Sequence, residues 1–280
     1  MSYLININSD NVINSNNSIY KFNFVNGSFT SNNCEICISQ AQIPYSWFNV
    51  TVNYNNNSFQ ISWTVGGVLT LYTIVLPDGF YTIADINEYI QQFCIINGFY
   101  LIDSNGDYVY YFKILDNQTY YRVQLLLYTV PSSLPTGYTL PPNFAGFPTV
   151  PTTPEFIVLN NNFTILTGFN SGTYGGGSVD LSILSQNTPQ GANVNSLVIR
   201  CTFVNSNISF PNDILDVIPI VDAVFGANIN YQPTFEKWQR IMNGSYSSIT
   251  ISIVDQNYNT IYANDNNVCI SLLIREKEKK

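Results

Sequence analysis

No residue of this 280-residue chain is histidine, and the chain is short of charge of both signs. The missing histidine excludes Ser-His-Asp and Cys-His catalysis, together with every zinc or iron site built on imidazole. Charged residues make up 10% of the chain, against about 25% in an ordinary soluble domain. Only 10 residues are Lys or Arg, and four of them, Arg275, Lys277, Lys279 and Lys280, fall in the last six positions. The cations left for the body are too few for the basic stripe that nucleic-acid binding needs. No apolar run approaches the ~18 residues of a transmembrane helix. The opening Met1-Ser2-Tyr3-Leu4-Ile5-Asn6 has neither the basic nor the apolar part of a signal peptide. The expectation is a product without a membrane span that stays in the cytosol of the cell making it.

Five cysteines (Cys34, Cys37, Cys94, Cys201, Cys269) are an odd number in a long chain whose start does not read as a secretory signal, and they are expected as reduced, buried thiols. Cys34 and Cys37 form a CxxC, but the surrounding residues alternate as a strand does, which sends the two sulfurs to opposite faces. No metal or cofactor is expected. Asp103-Ser104-Asn105-Gly106-Asp107 has its glycine at position four and Ile114 at position twelve, whereas an EF-hand needs glycine at six and Glu at twelve. Gly175-Gly176-Gly177 lacks the Lys-Ser/Thr of a phosphate loop and reads as a flexible loop. Nothing here marks an enzyme. Two carboxylates at hydrolytic separation are a tertiary property, so an acid-based hydrolase stays as a distant rival.

What is abundant is Asn, Ser, Thr, Tyr, Phe and Ile, with hydrophobic residues at 45% and a net charge of −8. Polarity without charge suits close contact with other protein, although an AT-rich genome enriches several of these residue types by codon bias alone. Apolar residues alternate with polar ones in run after run: Tyr20, Phe22, Phe24; Ile199, Cys201, Phe203; Ile249, Ile251, Ile253; Ile270, Leu272, Ile274. Each run reads as a half-buried strand. Hairpins are expected at Asn55-Asn56-Asn57, joining 50–54 to 58–63, and at Asn105-Gly106. Two helices interrupt the alternation. One spans about 82–97, with Ile83, Ile86, Ile90 and Phe93 on one face, Thr82 and Asp85 as its capping pair and Gly98 as its stop. A second, shorter one spans about 235–242, on the spacing of Phe235, Trp238 and Ile241. Seven prolines between 131 and 154 exclude helix and central strand there, leaving a long surface loop or strap. The fold class is therefore all-β: a single jelly-roll sandwich over 1–280 with a long Pro-rich insertion. A β-rich subdomain or tower is expected at about 100–168.

Trp47 and Phe48 stand between two strand segments, where they either cap the end of the sandwich or anchor a neighbouring subunit; Trp238 is a further interface candidate. The closing Arg275, Lys277, Lys279 and Lys280 form either a solvated end or an inward-facing tail near packaged DNA, the intervening Glu276 and Glu278 weakening the second reading.

Three stretches resemble the minor capsid, or penton, proteins of virophages and polinton-like viruses. The first is Leu76-Pro77-Asp78-Gly79-Phe80-Tyr81-Thr82-Ile83-Ala84-Asp85-Ile86-Asn87. The second is Thr188-Pro189-Gln190-Gly191 through Ser196-Leu197-Val198-Ile199-Arg200-Cys201, then Pro211-Asn212-Asp213-Ile214-Leu215. The third is 249–255 with Asp265 and the closing 270–275. The resemblance implies a single upright jelly roll in a virion, made in the host cytoplasm. Such subunits close icosahedral vertices as homopentamers against major capsid protein, with inserted loops building an outward tower for which 131–154 or its flanks is the candidate. It implies no active site. A glycan- or receptor-binding jelly-roll spike module is the alternative.

Overall fold

A computed structural model describes residues 2–65, 67–191 and 194–277. The chain divides into two compact units, Met1–Trp47 with Val194–Lys280, and Phe48–Asn193.

The first unit carries β1 (Ser2–Ile7), β2 (Ile19–Asn23), β3 (Phe29–Ser31) and β4 (Cys34–Pro44). The second carries β5 (Ser58–Val65), β6 (Val68–Val75), helix α1 (Ile83–Asn97), β7 (Tyr100–Ile102), β8 (Tyr108–Tyr110), β9 (Phe112–Asn117), β10 (Arg122–Leu127), β11 (Glu155–Val158), helix α2 (Phe163–Thr167), β12 (Gly172–Gly175) and β13 (Leu181–Leu184). The chain then returns to the first unit with β14 (Ser196–Cys201), β15 (Ile214–Pro219), β16 (Asn228–Tyr231), β17 (Gln239–Arg240), β18 (Gly244–Tyr246), β19 (Ser248–Asp255) and β20 (Cys269–Glu276).

In the first unit one sheet runs β1-β20-β4-β16 and the other β2-β19-β14-β15, every pair antiparallel. Counting only these eight wall strands along the chain, the orders are 1-8-3-6 and 2-7-4-5. That is the jelly-roll order, two interlocked Greek keys. The alternation read from sequence supplies the core: Ile199, Cys201 and Phe203, Ile249, Ile251 and Ile253, and Ile270, Leu272 and Ile274 are all buried. The second unit is inserted in the connection between β4 and β14, and is wider on both sides than the 100–168 expected. The reason is sheet membership: β5 and β6 precede that stretch in the chain, yet they share a sheet with β11 and β12.

That sheet, β12-β11-β5-β6, and the sheet β13-β10-β9 enclose the core of the second unit together with α1. Trp63 and Phe99 stack at its centre with ring centroids 4.8 Å apart. Helix α1 forms as its pattern requires, with Ile86, Ile90 and Cys94 buried and Thr82 and Asp85 closing a capping box. Gly98 ends it in a left-handed conformation, φ 69°. Residues 131–154 form the expected strap, but it is bound along the second unit. Asn143 Nδ2 donates to the Ile95 and Ile96 carbonyls at 3.0 and 2.9 Å, and the Trp63 indole donates to the Gly146 carbonyl.

Three local expectations are corrected. The 235–242 segment is extended: Gln239 and Arg240 pair with Ile36 and Glu35 along the part of β4 that β16 leaves open. Open ladder groups on a sheet edge outweigh a two-turn helical spacing with no caps. Residues 51–57 are a turn closed by the Asn56 side chain, which accepts from Thr51 N–H and donates to the Asn49 carbonyl, so no hairpin precedes β5. Gly175 and Gly176 end β12 packed against Pro154 and Glu155, where a Cβ on Gly175 would meet the Pro154 carbonyl at 2.2 Å. The hairpin at Asn105-Gly106 does form, joining β7 to β8. Its loop is longer than two residues, and the Asp103 carboxylate is spent on the N–H groups of Asn105 and Asp107.

Candidate assembly surfaces

In a jelly roll, alternate connections leave the same end of the sandwich. The β2–β4, β14–β15 and β16–β19 connections therefore share one end, and two contacts tie them there. Strand β3 pairs with β18, and Val204 bridges Ile241. An aromatic plug closes this end. Phe203, fully buried, stacks on Phe24 and Phe29 at centroid distances of 6.0 and 5.9 Å and meets Tyr246 at 4.5 Å. The same three connections hold out apolar side chains: Val25 94% exposed, Ile208 98%, Phe210 93% and Phe235 71%. Among the described residues their side chains stay outside the buried core, and Phe210 is tied to the fold through its carbonyl, which accepts from Tyr258 Oη at 3.3 Å.

The closing strand ends on this side too. Glu35, at the start of β4, receives Arg275 Nη2 at 3.1 Å on one carboxylate oxygen and Lys277 Nζ at 2.9 Å on the other. The two cations hold its carboxyl below the usual range, the Lys277 hydrogen bond most of all, against some opposing desolvation. Arg275 also lies with its guanidinium 3.9 Å from the centroid of the Trp238 ring, whose indole N–H donates to Glu236. Two of the four tail cations are thus engaged with Glu35; Lys279 and Lys280 lie outside the described residues. Nearby in the fold, buried Asp216 accepts from Tyr231 Oη at 2.7 Å and Lys237 Nζ at 2.8 Å, and this pairing raises the lysine pKa.

The three aromatic interface candidates separate. Trp47 is only 2% exposed, sits 4.5 Å from the Tyr45 ring and is bridged to Ala263. It is core. Phe48 is half-buried at the start of the second unit, and Trp238 is half-buried beneath Arg275.

The second unit holds a cavity of about 540 Å³. Two of the stretches quoted above for their resemblance meet in its wall: Phe80, Tyr81, Thr82 and Ile83 from one, Pro189 and Gly191 from the other. Asn49 joins them. Its amide nitrogen donates to the Tyr81 and Gly191 carbonyls at 2.8 and 2.7 Å, and its oxygen accepts from Tyr81 N–H at 2.8 Å. Asp116, Gln118 and Tyr121, around the β9–β10 turn, and buried Leu166 complete the lining.

No protein-family model matches the chain, and no curated protein does. Two virophage structures do. The crystal structure of the mavirus penton protein aligns with 99% of this chain and 99% of its own, at 10% identity and a TM-score of 0.47. A chain of the Sputnik virophage, solved by electron cryo-microscopy, aligns with 99% of this chain and 98% of its own, at 11% identity and a TM-score of 0.45.

Reactive chemistry is sparse. Among the described residues no group of three or more Cys, Asp or Glu is placed to hold a metal ion. Burial pushes the Cys37 thiol up to about 11 and those of Cys94 and Cys201 to about 12, which suppresses thiolate chemistry. Sequence reasoning missed the exposed apolar set. Ile208 and Phe210 stand in the Asn- and Ser-rich stretch 205–212, where no strand can bury them, and that mismatch was the available signal.

Proposed function

We propose that this chain is a structural subunit of a viral shell, the penton that closes five-fold vertices as a homopentamer and contacts the major capsid protein. The observation that carries the reading is the wall-strand order of the first unit, 1-8-3-6 against 2-7-4-5, with a whole second unit inserted in one connection. A sandwich of this kind gives a subunit two rigid walls, while its end connections are free to carry contacts. The resemblance of 76–87, 188–215 and 249–275 to virophage minor capsid proteins supports the same reading. Ring closure needs a heterologous, head-to-tail contact that returns on itself after five rotations. Val25, Ile208, Phe210 and Phe235 are the residues we assign to assembly, because apolar anchors contribute most of the energy of a protein interface. Low charge limits repulsion between neighbouring copies and makes assembly less sensitive to salt than a charge-driven shell.

The tail is assigned to the particle interior as an expectation from the same reading, although pairing of Arg275 and Lys277 with Glu35 reduces the charge free to meet DNA. The test is the native mass of the purified chain over a concentration series, alone and with the major capsid protein, followed by imaging of the large species. Five-subunit rings under either condition are the expected result. A monomer in both would overturn the assignment.

A further inference from the structure

We propose that the cavity of the second unit binds a neutral saccharide, one that stacks on Tyr121 and hydrogen-bonds to Asp116 and Gln118. The volume, about 540 Å³, falls in the range of roughly 300–1,000 Å³ typical of small-molecule sites. It would accept about one or two hexose units.

The lining divides into groups that build the wall and groups left free. Asn49 is consumed by its three backbone contacts, and Thr82 by the capping pair with Asp85. Among the described residues, the side chains of Asp116, Gln118 and Tyr121 take no hydrogen bond within the protein. They supply a carboxylate that accepts, an amide that both donates and accepts, and a phenol that does either. Vicinal hydroxyls of a sugar need this mixture. Its C–H faces need aromatic surface, and Phe80, Tyr81 and Tyr121 provide it.

Charge selects further. Asp116 is the only acidic or basic residue in the lining, and among the described residues it takes part in no ion pair. Arg122 is turned to the Thr188 hydroxyl and the Tyr121 carbonyl. A sialic acid or sulfated sugar would meet an uncompensated carboxylate, so the neutral class is favoured.

Tyr121 itself is the second observation. It occupies the left-handed region, φ 53°, at the end of the β9–β10 turn. Gly or Asn takes that conformation at little cost, and a bulky aromatic does not. The ring is 72% exposed, so it does not recover the strain by packing. Strained, exposed residues of this kind gather at ligand sites.

The experiment uses the full chain and two probes: NMR titration with methyl glycosides of glucose, galactose, mannose and N-acetylglucosamine, and an array of neutral and sialylated oligosaccharides. Saturable binding of at least one neutral sugar is expected, in about the millimolar range for a single shallow site. Tyr121→Gly should weaken it by about tenfold or more, with a melting temperature equal to or above that of the parent, since glycine relieves the backbone. Asp116→Asn should weaken it while keeping the fold. Silence across all neutral probes overturns the proposal. So does preference for sialylated chains, or binding that survives both substitutions. Native mass is measured on the same samples, so failure of the saccharide site and failure of the penton assignment are read separately.

Discussion

The guanidinium of Arg275 lies over the indole of Trp238, 3.9 Å from its centroid, while two of its nitrogens reach Glu35. Three separate parts of the first unit are joined by that one side chain: the closing strand β20, the start of β4 and the segment before β17. Arg275→Lys keeps the charge but gives up the guanidinium's contact with the ring and its paired donation to Glu35. We expect it to cost about 1 kcal/mol, and Trp238→Ala to cost a similar amount because the ring is only half-buried. A double-mutant cycle in denaturant should return a coupling of about 0.5–1 kcal/mol. Strict additivity would show that the contact contributes nothing.

Glu35 makes this corner sensitive to acid. Lys277 and Arg275 depress its pKa in the folded chain, so its contribution to stability is complete above the unfolded value, about 4.3. It is lost as pH falls through the lower folded value. Stability should therefore be insensitive to Glu35 near neutrality and decline only in acid. Glu35→Gln should remove that part of the acid slope while lowering neutral stability by no more than about 1 kcal/mol, because both cations are well exposed. Unfolding curves collected from pH 7 to pH 3 would reveal it; parallel slopes for the two proteins would reject the assignment.

A different junction governs the strap. At Gly98 a Cβ would stand 2.1 Å from the Asn143 carbonyl oxygen, and the backbone there is left-handed. Gly98→Ala combines strain with collision and should destabilise by more than about 1 kcal/mol. Asn143→Ala keeps the backbone and deletes two bonds to helix carbonyls, for an expected loss of about 1–3 kcal/mol. If hydrogen exchange at 131–154 is unchanged in both variants, the strap is held by other contacts.

These cases mark what was legible in the sequence. Alternation exposed the strands carrying Ile249–Ile253 and Ile270–Ile274, and the Thr82, Asp85 and Gly98 signals bounded α1 within a residue, because those cues are local. Strand order is not local: Ser2 pairs with Arg275, across nearly the whole chain. The limits of the insertion were hidden for the same reason. The Phe235-Trp238-Ile241 spacing misled because extended and helical placements both bury Ile241, and only the open stretch of β4 decides between them. The cavity was invisible as a site, since Asn49, Tyr81, Asp116 and Gly191 come from four separate stretches. Its resemblance-bearing segments speak in the sequence for fold and assembly, not for a ligand.

Assembly gives the last prediction, and it turns on the contrast between Trp47 and the loop residues. Trp47 is buried within the first unit, so Trp47→Ala should cost about 3–5 kcal/mol of stability, whatever the oligomeric state. Ile208→Ser, Phe210→Ser and Phe235→Ser remove side chains that touch little in the monomer, and each should change stability by less than about 0.5 kcal/mol. If these residues are the anchors of ring contacts, the triple variant should stay folded and lose the five-subunit species, with or without the major capsid protein. Rings of unchanged abundance would move the interface to the sandwich walls, where the exposed residues of the edge strands β1 and β15, Leu4 and Val217 among them, would be next to test.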